Sequence, residues 1–247
     1  MTATPAALLA GLRASGLAVR IVDGILRVQG PGSQLTPERD AAIRLHKPAL
    51  LQLLRLEPVV YLDIETRSAC NLKTAGGRRY SAHPSTQILS AVALLDGRAV
   101  VWLPLAGEAP AVPWPDGFDP LPVQTFTGPE LPQPLAEAVR AGRPFCAHNA
   151  YGFDSLAWDA KGLPEPARWI DTLPLARSAG LPGSLDGVSA WLFGTRKDPQ
   201  GKKLIRRYCA PYGKEKKFRD PPPDDLAALV RYNLQDVLLL AGAHQYL

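Results

Sequence analysis

Hydrophobic and polar positions change their rhythm near residue 58, and the change divides the chain. Before it, Leu8, Leu9 and Leu12 recur at helical spacing. LAVRIVDGILRV then supplies two short β-branched runs joined by Asp23-Gly24, a hairpin turn signal. Thr36 is placed to cap a helix whose first turn holds Pro37 and Glu38, and Pro48 should end or kink it before a second helix through Leu56. The predicted order is helix, hairpin, helix, helix. After Glu57-Pro58, VVYLDIET is an apolar run interrupted on alternate residues by two carboxylates. Runs from Ile88 to Leu95 and from Ala99 to Leu103 flank Asp96-Gly97, which predicts an antiparallel meander of three strands. Residues 104 to 134 are crowded with proline and predict an irregular surface connection. A helix from about Leu131 to Ala141 leads into the short buried strand PFCAHN and a helix beginning near Gly152. WIDT predicts another strand, followed by helices through Ala179, from Ser184 to Phe193 and, after a basic loop, from about Asp224 to Tyr246. Strands that come first as a meander and later alternate with helices predict an α/β fold: a mixed sheet flanked by helices.

The expected domains are therefore residues 1–56 and 57–247. Fewer than about 60 residues make a marginal core, so the first unit is expected to lean on a neighbour or to bind one. Its residues LTPERDAAIRLHKPALLQLL, behind the hairpin IVDGILRV, resemble the TubC-type N-terminal docking domain of large synthetases. That resemblance implies a small adaptor receiving a partner's peptide, hence a protein partner for residues 1–56. An accessory fold without a partner is the alternative.

Of the 247 residues, 46% are hydrophobic and 21% charged, enough to bury one good core with a small appendage and too apolar for a disordered tail. No apolar run approaches the roughly 18 to 20 residues needed to cross a bilayer, and the amphipathic start MTATPAALLAGLRASG lacks the layout of a secretory leader. The expectation is a soluble, cytoplasmic protein with no membrane partner. Cys70, Cys146 and Cys209 are odd in number and widely spaced, which suggests neither a disulfide framework nor a structural zinc site. The net charge of +5 is concentrated: Arg196 to Arg219 holds ten cations, Lys202, Lys203, Arg206 and Arg207 among them, against Asp198 and Glu215. Such a block, with Tyr208, Tyr212 and Phe218 inside it, could follow a phosphate backbone and offer rings to bases, or could be a solvated loop.

Asp63 and Glu65 are one residue apart in a predicted strand, so both leave the same face while Leu62 and Ile64 point to the other. At about 5 Å and an effective dielectric near 20, such a pair repels by roughly 3 kcal/mol, so a cation or a raised pKa must offset it. A divalent metal is one answer; an edge strand with its polar face in water is the other. Asp154 falls just inside the start of a helix that follows a strand, where the helix dipole favours a carboxylate. Tyr232 and Asp236 are four apart on the terminal helix and share a face, beside the stripe of Leu229, Val237 and Leu240.

The ordered set Asp63-x-Glu65, Asn149-x-x-x-Phe153-Asp154 and Tyr232-x-x-x-Asp236 resembles the three motifs of the DEDD (DnaQ-like) superfamily of 3′ to 5′ exonucleases, in its tyrosine-bearing subclass. The histidine subclass would place His five residues before the last acid, where this chain has Arg231. Within the superfamily, LDIETRS, AHNAYGFD and YNLQDV look especially like the proofreading domain of phage and bacterial polymerases of the DNA polymerase I type. The resemblance runs from about Val59 to Gln245 and implies an RNase H-like fold and two-metal phosphodiester hydrolysis. Two Mg²⁺ or Mn²⁺ ions, roughly 3.5 to 4 Å apart, would bracket the scissile phosphate; oxygen donors suit these hard cations, while zinc would want His or Cys. On this resemblance Asp63 bridges both ions, Glu65 and Asp236 complete the first, Asp154 supports the second through water, and Tyr232 orients the nucleophile. Thr66, Asn149 and Phe153 would line the pocket for the terminal nucleotides, and Lys202, Lys203, Arg206 and Arg207 would guide the strand.

Neighbouring residues have plainer readings: His148 as a packed or hydrogen-bonded histidine, Asp171 as a helix cap, Lys73 as a loop lysine at the surface, and Trp102, Trp158, Trp169 and Trp191 as core or rim packing. Polymerases of this type continue for several hundred residues beyond the last exonuclease helix, and this chain stops 11 residues after Asp236. The sequence is compatible with a stand-alone exonuclease or a proofreading fragment. The expected substrate is the 3′ end of single-stranded DNA. The alternatives are RNA or short oligonucleotides at the same site, or a catalytically silent docking or nucleic-acid-binding module.

Overall fold

The computed structural model describes residues 4–22, 25–55 and 58–247, and divides into two compact units. One comprises residues 1–59 together with 133–145 and 164–168; the other comprises 60–132, 146–163 and 169–247. The Asp23-Gly24 turn and the Leu56–Glu57 joint lie outside the described residues.

In the first unit α1 (Pro5–Ala14) precedes the hairpin β1 (Ala18–Val22) and β2 (Ile25–Gln29), antiparallel with Val19 opposite Val28. A single 3-10 turn then leads to α2 (Pro37–Leu45) and α3 (Lys47–Arg55). Thr36 Oγ1 accepts from Arg39 N at 3.4 Å with Pro37 in the first turn, so α2 starts where a side-chain acceptor and a pre-set φ coincide. Pro48 falls in the first turn of α3, where its missing amide costs nothing. Leu9, Leu12, Leu17, Val19, Ile43 and Leu50 form one buried cluster, each contributing about 2 kcal/mol relative to an exposed side chain.

The remaining elements follow in the order β3 (Val60–Arg67), α4 (Leu72–Ser81), β4 (Gln87–Leu95), β5 (Arg98–Leu103), β6 (Val123–Thr127), α5 (Gln133–Arg140), β7 (Phe145–Ala147), α6 (Asp154–Ala160), β8 (Trp169–Asp171), α7 (Thr172–Ser178), α8 (Leu185–Phe193), α9 (Pro199–Tyr208) and α10 (Pro223–Tyr246). The six strands are ordered β6-β5-β4-β3-β7-β8. β3, β4 and β5 pair antiparallel and β6 joins β5 in parallel, so the sheet is mixed, flanked by helices, and consistent with an RNase H-like α/β fold. Alternation fixes β3: Val60, Leu62 and Ile64 are buried, which turns Asp63 and Glu65 to the opposite face. The register shifts between Glu65 and Thr66, a bulge at the end of the acidic pair.

α10 crosses β3 and β4, burying Leu229, Val230, Leu234, Val237 and Leu240. By length and hydropathy alone this helix could cross a membrane, but 61% of the qualifying stretch is buried in the fold, as a core helix would be. Three segments differ from the sequence expectations. Within the proline-rich connection, Val123–Thr127 pairs with β5, because parallel pairing needs only free amides and carbonyls. Leu72–Ser81, which contains Lys73, is helical with a kink at Gly76, capped by Asn71. The first half of the basic loop is α9, started by Asp198 capping Gln200 N and by Pro199.

Candidate active site

Three elements meet at the acidic face of β3. Asp63 and Glu65 come from β3, Asp236 comes from α10 one helical turn after Tyr232, and one ligand oxygen from each of the three acids lies within 4.8 Å of the others. Asp154 opens α6 and its Oδ1 accepts from the backbone N of Ile64 at 3.2 Å, which ties this fourth acid to the strand between Asp63 and Glu65. Asp236 and Asp154 are buried, at 2% exposure each, while Asp63 and Glu65 keep a partly open face.

Burial and mutual repulsion leave all four carboxyls harder to ionise than in water. Burial raises Asp63, and burial with the charges of Asp63 and Asp236 raises Glu65 well above the usual range. Asp154 is likewise raised well above it by burial and by Asp63, against the pull of the Ile64 amide. Asp236 is pushed up to about 7 by burial and Asp63, although Lys197 and Tyr232 act in the other direction. One further observation fits a cation: the buried Oδ1 of Asp236 has no hydrogen-bond partner among the described residues. An all-oxygen donor set with an orphaned carboxylate oxygen suits a hard divalent ion, so this buried acidic cluster can hold a metal.

Two side chains that the motifs did not mark also enter the site. Asn233, fully buried, donates from Nδ2 to Asp63 Oδ2 and so orients that carboxylate. Lys197, just before α9, donates to Asp236 Oδ2 at 2.6 Å and to the Tyr232 hydroxyl at 3.4 Å. Tyr232 is buried against α9: a Cβ on Gly201 would stand 1.9 Å from a ring carbon, so only glycine lets the helix backbone lie on the ring. Burial first, then Asp236, raises the Tyr232 phenol, which stays protonated and able to donate.

The remaining candidates are spread around this cluster. Asn149 sits in the left-handed region at φ 69°, a conformation Asn tolerates, with its amide on Asp171 Oδ1 at 2.9 Å. Asp171 also caps α7 through Leu173 N, so it is engaged by backbone on both sides. Asn149 lines a cavity of about 480 Å³ with Asp63, His148, Arg177, Ser184 and Lys197. The Gly183 carbonyl can only accept, which places the His148 proton on Nε2, and Nδ1 then accepts from Thr172. Burial lowers its pKa, so His148 is a neutral, occupied ring. Thr66 is buried with its hydroxyl bonded to that of Tyr80, whose ring packs on Phe153. Lys202, Lys203, Arg206 and Arg207 are exposed on α9, whereas Tyr208 is buried and donates to Asp225, so it is no stacking surface. Trp102 and Trp158 are core, but Trp191 is 68% exposed.

No family model matches the chain. Over 153 residues, 61% of its length, it is 30% identical to a DNA polymerase of Bacillus phage SP02. The chain matches about a fifth (20%) of that relative's length. The chain thus carries a polymerase-related region, on an α/β fold with a buried acidic cluster able to hold a metal ion.

Proposed function

We propose that the chain is a metal-dependent 3′ to 5′ exonuclease of the tyrosine-bearing DEDD type, releasing nucleotides from the 3′ end of single-stranded DNA. The observation that carries this reading is the convergence of Asp63, Glu65 and Asp236 oxygens within 4.8 Å, beside Asp154 and one helical turn from a buried tyrosine. The distant likeness to a phage DNA polymerase supports a nucleic-acid substrate.

Asp63, Glu65 and Asp236 would hold the first divalent ion, Mg²⁺ or Mn²⁺, and Asp154 would serve the second. Bound, these ions supply an activated water and neutralise charge on the phosphate. The chain's own groups do the rest. Asn233 keeps the Asp63 carboxylate turned inward, and Tyr232, protonated and fixed by Gly201, offers its hydroxyl to orient the attacking water. The cavity beside Asp63 receives the end of the strand, and the exposed cations of α9 draw its phosphates in. In the same reading residues 57–247 are the nuclease and residues 1–56 a TubC-like docking domain for a protein partner.

The test is a single strand, DNA or RNA, labelled at its 5′ end and incubated with Mg²⁺ or Mn²⁺, then with EDTA. The expected result is a ladder of shortened DNA that EDTA abolishes and Asp63→Ala removes. Faster shortening of RNA moves the substrate to RNA at the same site, and binding without cleavage overturns the catalytic reading.

A further inference from the structure

Lys197 is built into the acidic cluster from outside the three motifs. Its Nζ lies 2.6 Å from Asp236 Oδ2, 3.4 Å from the Tyr232 hydroxyl and 5.4 Å from the centre of that ring. The side chain is 18% exposed, the carboxylate it meets 2%. Burial would favour the neutral amine, but Asp236 and Asp63 outweigh it and hold the ammonium charged.

The backbone beneath this side chain is pinned. Lys197 N donates to Asp186 Oδ1 at 2.9 Å, and the next amide, Asp198 N, donates to Gln235 Oε1 at 3.0 Å. Asp198 then caps α9 and receives Arg231 at 3.3 Å. The lysine therefore enters the site from a fixed point, with only its four-carbon stem free to turn. It has two places to go, because Lys197 also lines the open cavity of about 480 Å³ beside Asp63.

Charge balance says when each place is favoured. Four ionised carboxylates carry −4, which two divalent ions would cancel. A phosphodiester adds −1, and further negative charge develops on its oxygens during hydrolysis. Without the ions any carboxyl that ionises leaves uncompensated negative charge in the cluster, as Asp236 does beside Lys197; with ions and substrate the excess is negative at the phosphate. A single ammonium between the two locations can serve both.

We propose that Lys197 is a movable counter-charge of this site: it neutralises Asp236 while the carboxylates hold no ion, and turns into the adjoining cavity to bind a non-bridging oxygen of the scissile phosphate once ions and strand are present. The inference rests on the exonuclease reading above and adds a phosphate-binding residue to it. It also assigns Lys197 a role when no substrate is there, which activity alone would not reveal.

The full-length chain and its Lys197→Met and Lys197→Arg variants test this with three readouts: Tm in EDTA, Mn²⁺ affinity without nucleic acid from the free-ion paramagnetic signal, and kcat and KM on single-stranded DNA. Lys197→Met should lower Tm in EDTA, bind Mn²⁺ about tenfold more tightly because no ammonium must be displaced, and lose about a hundredfold in kcat. Lys197→Arg should hold Tm and Mn²⁺ affinity near those of the parent. Should Lys197→Met be too unstable to assay, Asp236→Asn with and without Lys197→Met decides: the lysine's contribution to Tm in EDTA should vanish once Asp236 is neutral. Unchanged or weaker Mn²⁺ binding by Lys197→Met, or an equal fall in Tm in both Asp236 backgrounds, overturns the counter-charge. A parent chain that neither binds Mn²⁺ nor shortens a strand overturns the exonuclease reading itself, a separate result.

Discussion

Gly201→Ala sets two physical effects against each other at one position. Gly201 lies in the first turn of α9, where alanine is the better helix former by up to about 1 kcal/mol. The added methyl, however, would stand 1.9, 2.3 and 2.5 Å from three carbons of the Tyr232 ring. Restoring an ordinary contact of 3.4 Å requires ring and helix to separate by about 1.5 Å. Tyr232 is only 6% exposed, so the ring has little room to retreat. Overpacking of this kind costs about 1–3 kcal/mol, and here the upper half of that range applies because the obstacle is a rigid ring. The net loss is about 2 kcal/mol, a fall in Tm of roughly 4–8 °C for a chain of this size. In a Tyr232→Ala background the obstacle is gone and only helix propensity remains, so the same substitution should raise Tm by roughly 2–4 °C. Thermal melts of the four proteins in a double-mutant cycle measure both. If Gly201→Ala shifts Tm by the same amount and sign in both backgrounds, the ring is not the obstacle and the account of how Tyr232 is held is wrong.

The other predictions concern charge and orientation. Burial and Asp63 raise Asp236 to about 7 in the fold against 3.8 ordinarily, so its folded-state proton stabilises the metal-free protein at low pH, and that gain is lost as pH rises through the folded value. In EDTA, Tm should therefore be higher at about pH 5 than at about pH 8; a flat profile would contradict the crowding of the acids. Asn233→Leu removes the donor to Asp63 and should weaken Mn²⁺ binding by about tenfold to a hundredfold. Titration of the free-ion signal checks this, and parental affinity would show that Asp63 needs no such support. Replacing Lys202, Lys203, Arg206 and Arg207 by Ala should flatten the salt dependence of strand binding by about 0.7 in log–log slope for each phosphate no longer neutralised. Fluorescence anisotropy in EDTA reads that slope, and an unchanged value would move the strand elsewhere.

Much of the sheet could be read from the chain, because its strands carry their own evidence: VYLDIETR alternates, and burial of Val60, Leu62 and Ile64 follows from that alternation. α10 was legible for the same reason at the helical period. β6 was not, since VQTFT is short, mostly exposed and surrounded by proline; its pairing depends on β5 rather than on its own pattern. α4 and α9 were hidden by glycines that propensity penalises; Gly76 makes the kink in α4, while Gly77 lies against the Gly152 carbonyl and Gly201 against Tyr232. In the site, the acids have motif spacing and Asn233 stands one residue after Tyr232 on the same helix. Lys197 has no such signal. It lies 39 residues before Asp236, in a run of ten cations of which any could have been the one that turned inward.

The sheet finishes on one side with five residues, Val123–Thr127, and on the other with three, Trp169–Asp171. Strands that brief present few vacant amides and carbonyls to a passing chain, so neither border makes a useful template for intermolecular growth. Fibril seeding from the native protein would first have to lengthen one of these borders, and substitutions that remove Pro120, Pro122 or Gly128 from around the five-residue border are where that protection would be spent.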